Sequence, residues 1–60
     1  RQKETSDGEF RLGQRVFHPI FGEGIILNVE GNGPRTRVQI NFDTDGTKWL
    51  MLSHANIGAA

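Results

Sequence analysis

Two histidines, an Asp-x-Asp-Gly turn and a Gly-x-Gly run are the residues whose types and spacing could do chemistry. His18 and His54 are the imidazoles that a proton-transfer site would use. No serine or cysteine nucleophile stands near either in a recognisable elbow, and the carboxylates fall in loops or at strand ends. Both histidines are therefore read as structural or simply exposed. Asp43-Thr44-Asp45-Gly46 begins like a calcium loop but lacks the remaining ligands and the closing glutamate, so turn chemistry explains it. Phe21-Gly22-Glu23-Gly24 holds a Gly-x-Gly, yet no helix follows whose N-terminus could hold a phosphate. With no cysteine in the chain, two histidines do not make a structural zinc site. No catalytic, metal or cofactor site is expected, and no small-molecule ligand.

What remains is binding. In Lys48-Trp49-Leu50-Met51-Leu52, a core-facing Leu50 and Leu52 would turn Trp49 and Met51 outward beside a cation. An exposed tryptophan next to a basic side chain is the composition of a protein-binding hot spot. The other reading makes Trp49 the core aromatic, packed among Phe10, Phe17, Phe21 and Phe42. Arg35 and Arg37, outward on the third strand, either extend the patch towards Lys48 across the Asp45-Gly46 hairpin or are ordinary solvated charges. Arg15 is read the same way.

The elements that must position these residues follow a period of two. Val38, Ile40 and Phe42 alternate with Arg37, Gln39 and Asn41, which marks 36–42 as a half-buried strand. In 24–30, Ile25, Leu27 and Val29 share one face and Ile26, Asn28 and Glu30 the other. Residues 15–18 form a shorter strand, 47–52 a fourth, and 55–57 a very short fifth. Pro19, Gly22 and Gly24 punctuate the first connection. Gly31-Asn32-Gly33-Pro34 supplies positive φ angles for a second turn, and Asp45-Gly46 marks a third. Residues 53–56 suit a single helical turn with Ser53 as a weak cap. Residues 1–9 contain no large apolar side chain and read as a flexible linker, with the domain occupying 10–60.

Sixty residues with a formal net charge of zero bound the possibilities. A chain of this size buries only about 60% of its unfolded surface, so a small core and good turns must supply the stability. Four or five short antiparallel strands cannot make a sandwich with an adequate core. They can curl into an all-β, SH3-like or Tudor-like barrel that removes exposed edges. No apolar run is long enough for a membrane span. From residue 10 onward five basic side chains face four acidic ones, far from the excess of a dedicated nucleic-acid-binding domain. The chain reads as a monomeric module cut from a larger protein.

Leu12-Gly13-Gln14-Arg15-Val16, His18-Pro19, Phe21-Gly22-Glu23-Gly24, Val29-Glu30-Gly31-Asn32-Gly33, Arg37-Val38-Gln39-Ile40 and Lys48-Trp49-Leu50 occur here in that order. In this combination the chain resembles the C-terminal Tudor-like domain of the bacterial UvrD/PcrA helicases, from about Phe10 to Ile57, with Lys48-Trp49-Leu50 closest to the UvrD branch. The resemblance implies a cytoplasmic, nucleoid-associated parent: a superfamily 1, 3′-to-5′ DNA helicase whose ATP and magnesium sites lie outside this segment. It implies that the domain binds RNA polymerase and so links the helicase to transcription-coupled repair, with UvrB as a further contact. It assigns Lys48 to the polymerase-binding surface and Trp49 and Arg15 beside it. Phe17 and Ile20 stand where relatives often carry basic residues, which weakens direct DNA binding and suits an apolar patch of Phe17 and Trp49.

Three alternatives stay open. One is an auxiliary nucleic-acid-binding barrel using Arg15, Arg35, Arg37 and Lys48, with Trp49 stacking on bases. A second is a structural cap packed on the motor. The third, a methyl-lysine reader, needs an aromatic cage that one tryptophan and no tyrosine equip poorly.

Overall fold

Alternating apolar side chains dictate a sheet with one dry face, and that is what the chain builds. The computed structural model describes residues 10–59; the expected linker at 1–9 lies outside the described residues. Five strands follow in chain order: β1 (Arg15–His18), β2 (Gly22–Glu30), β3 (Arg37–Phe42), β4 (Gly46–Met51) and β5 (Gly58–Ala59). They form one antiparallel sheet in the order β4-β3-β2-β1-β5, a small SH3/Tudor-like fold. The sheet is open. Closure that removes both edges was the sequence expectation, but β5 pairs with β1 over only two residues, and no described strand lies on the outer side of β4.

The dry face carries Val16, Ile26, Val38, Ile40 and Phe42, all buried. Phe10, Phe21, Leu50, Leu52 and Ile57 pack against them from strand ends and loops. Burying five such side chains supplies roughly 1.5–3 kcal/mol each, the main stabilising term in so short a chain.

The expected face of Ile25, Leu27 and Val29 is not continuous. Ile26 lies opposite Ile40, whereas Val29 lies opposite Val38, because the register shifts between Ile26 and Asn28. Leu27 is the extra residue of this bulge, so the inward face passes from Gly24 and Ile26 to Val29. Gly24, inside β2 opposite Phe42, is glycine for a steric reason. A Cβ there would meet Ile40 Cγ2 at 2.6 Å, the Asn41 carbonyl oxygen at 2.9 Å and Phe42 Cα at 3.0 Å. Only a residue without Cβ lets β2 approach β3 this closely.

The connections differ from expectation in detail. Gly33–Arg35 forms a 3-10 turn with Pro34 in its first positions, and Thr36 closes it, its N–H donating to the Gly33 carbonyl at 3.2 Å. Arg35 therefore lies in this turn and not on the third strand. Asn32 is extended, so the positive φ angles come from Gly31 and Gly33. Ser53 does not cap a turn; its hydroxyl donates to the Pro34 carbonyl at 3.2 Å. The fifth strand lies at Gly58–Ala59 beside β1, beyond the expected 55–57.

Candidate functional site

Neighbours along a strand point to opposite sides of a sheet. Lys48 lies opposite Ile40 and Leu50 opposite Val38, so both side chains stand on the core side of β4. Trp49 lies opposite Gln39 and Met51 opposite Arg37, on the outer side. Trp49 is 41% exposed, which decides against its being the core aromatic.

Each of these residues sits in its own setting. The Lys48 side chain is half-buried and its ammonium lies 4.8 Å from the centroid of the Phe21 ring, with no carboxylate within 4.0 Å among the described residues. A cation over an aromatic face is attracted by the ring quadrupole and remains free to meet an anion. Phe21 is in turn held by His18. The His18 ring is 9% exposed and stacks on Phe21 at 4.5 Å. Its Nδ1 accepts from the N–H groups of Ile20 at 3.0 Å and Phe21 at 3.2 Å. The turn that carries Phe21 is thus tied to the end of β1.

On the outer side the Arg37 guanidinium lies 5.1 Å from the Trp49 ring centroid and donates to Glu30 Oε1 at 2.6 Å. Met51 lies beside it on β4. Further along the same side, Arg15 Nη2 donates to Glu23 Oε1 at 2.8 Å and Asp43 Oδ2 at 3.1 Å. Those hydrogen bonds, Glu23 first and Asp43 second, hold the Arg15 guanidinium above its ordinary pKa. It is charged at every physiological pH.

The residues read from the sequence as one patch are therefore distributed. Trp49, Met51 and Arg37 come together. Lys48 is on the opposite side of the same strand, and Arg35 lies in the 3-10 turn. Arg15 and the exposed Phe17 are on β1, separated from β4 by two intervening strands, about 14 Å at ordinary strand spacing. No shared apolar patch of Phe17 and Trp49 forms.

A family model described as the PcrA/UvrD tudor domain matches residues 12–58. The chain belongs to this family. Among curated relatives, the tudor domain is 46% identical over 52 residues to DNA helicase II of Escherichia coli (strain K12), covering 87% of this chain and 7% of that protein. It is 43% identical over 51 residues to DNA helicase II of Haemophilus influenzae, covering 85% and 7%. With the ATP-dependent DNA helicase PcrA of Staphylococcus epidermidis it shares 30% over 56 residues, covering 93% and 8%. The chain spans less than a tenth of the length of these relatives.

Sequence reasoning missed Phe21 as the seat of Lys48 and Glu30 as the partner of Arg37. An aromatic in a glycine-flanked turn must pack somewhere, and that was the available signal for Phe21. Glu30 stands directly opposite Arg37 in the ladder, a pairing visible only once the bulge at Leu27 has set the register.

Proposed function

We propose that this tudor domain is a non-catalytic docking module of an ATP-dependent DNA helicase, and that the partner it docks on is RNA polymerase. Membership of the PcrA/UvrD tudor family and the helicase names of the relatives support the parent activity. The observation that carries the docking reading is Lys48: a half-buried side chain whose ammonium lies over Phe21 with no carboxylate partner among the described residues, one residue from an exposed tryptophan. A cation without a counter-charge favours a partner that supplies one. The same reading puts the parent in transcription-coupled repair in the bacterial cytoplasm, with UvrB as a second protein contact and the domain acting as a monomer.

Alanine at Lys48 or Trp49 tests it. Each removes a candidate anchor without touching the buried core, and a hot-spot truncation costs about 2 kcal/mol or more. We expect Lys48→Ala and Trp49→Ala each to weaken RNA polymerase binding by tenfold or more, with an unchanged amide spectrum of the free domain. Wild-type affinity in both variants would refute the site.

The nucleic-acid reading has less support. Arg15 and Arg37 are engaged by Glu23, Asp43 and Glu30, and phosphates would have to displace those carboxylates.

A further inference from the structure

Lys48 and Trp49 stand on opposite sides of the sheet, so no partner lying flat on either side reaches both. They share only the strand that carries them, and that strand is an edge. We infer that the partner binds as an added β-strand along the free edge of β4, with an acidic side chain towards Lys48 and apolar side chains towards Trp49 and Met51. This rests on the docking reading above and specifies its geometry.

The ladder shows which backbone groups are on offer. The Leu52 N–H donates to the Thr36 carbonyl at 2.8 Å, and the same register runs through β3 and β4. Antiparallel pairs alternate between hydrogen-bonded and non-hydrogen-bonded, so Gly46, Lys48, Leu50 and Leu52 bond to β3. The N–H groups of Thr47, Trp49 and Met51 and the carbonyls of Thr47 and Trp49 point to the open edge. The Met51 carbonyl is already taken by the N–H groups of His54 and Ala55, both at 3.0 Å. Thr47, Trp49 and Met51 are all exposed. An added strand would satisfy these groups and place its own alternating side chains on both sides at once. Charge complementarity fixes its character: the Lys48 ammonium, which has no carboxylate partner among the described residues, calls for a carboxylate on the core side, and Trp49 with Met51 for apolar groups on the outer side.

Proline at Met51 tests the geometry. It removes an N–H that β3 does not use and retains the carbonyl that the following turn needs, and proline is tolerated where an edge N–H faces solvent. Met51→Ala controls for the lost side chain. We expect Met51→Pro to weaken RNA polymerase binding by about tenfold, the scale of one to two interfacial hydrogen bonds, and Met51→Ala by no more than threefold. Hydrogen–deuterium exchange on the wild-type chain provides a measurement independent of any variant. The amides of Thr47, Trp49 and Met51 should slow at least tenfold in the complex. Binding with unchanged exchange at these three amides, or equal affinity of the two Met51 variants, would overturn strand addition and leave the docking reading standing. No binding by the wild-type chain would remove both.

Discussion

The imidazole of His18 accepts two backbone N–H groups at Nδ1, so its ring proton sits on Nε2 and the ring is fixed between the turn and the core. The sequence leaves His18 as either structural or simply exposed, and its ring is buried and stacked on Phe21. Through it the end of β1 holds Phe21, and Phe21 carries the Lys48 ammonium. Replacing His18 by alanine leaves two N–H groups without their acceptor and removes a stacked ring. Lost acceptors cost about 1–3 kcal/mol each when buried, and the stack about 1 kcal/mol more. Since the turn is only part-buried, we expect His18→Ala to lower the free energy of unfolding by about 2–3 kcal/mol. In His18→Asn, the side-chain oxygen takes the place of Nδ1 and should restore about 1 kcal/mol. Urea titration of the three proteins decides. Equal stability of the asparagine and alanine variants would show that the acceptor is not what matters.

Strands and turns draw on two different properties of glycine, and substitution separates them. At Gly24 the backbone is extended but a Cβ has no room, two of its three nearest atoms being backbone of β3. At Gly46 the space is open but φ is +79°, a conformation that costs an L-residue about 1–2 kcal/mol. Overpacking against a backbone that cannot yield costs about 1–3 kcal/mol, and here the pairing of β2 with β3 at Phe42 is itself opposed. We expect Gly24→Ala to be the more destabilising of the two by about 1 kcal/mol in thermal or urea unfolding, and a reversed order would refute the close-approach argument. Elements were legible in the sequence where a short-range rule decides them. The alternation of 37–42, the β-like run of 15–18 and the Asp45-Gly46 turn each follow from adjacent residues. What escaped depends on distant partners. The unbroken pattern Ile25-Leu27-Val29 conceals a bulge that exists because Ile26 must meet Ile40 while Val29 meets Val38. The fifth strand is defined by pairing with β1, and Ser53 by the Pro34 carbonyl, neither of which has a local signature. The candidate site shows the same division: the sequence leaves Trp49 either outward with Met51 or in the core until the pairing of β4 with β3 decides it, and the seat of Lys48 is made by Phe21, 27 positions earlier.

For the molecule as a whole, the placement of cations argues more strongly than their number. A nucleic-acid-binding barrel would use Arg15, Arg35, Arg37 and Lys48 together, and four phosphate contacts on a single strand would give a log–log salt slope of about −3. In the fold these four do not line one groove. Arg37 lies on the outer side over Trp49, Lys48 on the core side over Phe21, Arg35 in the 3-10 turn, and Arg15 two strands away between Glu23 and Asp43. A strand of DNA following one side of the sheet meets two of them at most, and both of those, Arg15 and Arg37, are already neutralised by carboxylates. The formal net charge of zero supplies no long-range attraction to compensate. We therefore expect single-stranded DNA to bind the isolated chain with a salt slope no steeper than about −1, and with no chemical-shift change at near-physiological ionic strength. Amide spectra recorded with an oligonucleotide across a salt series measure both. A slope near −3 would mean that the ion pairs open and the four cations regroup, and would make nucleic acid a ligand of this domain after all.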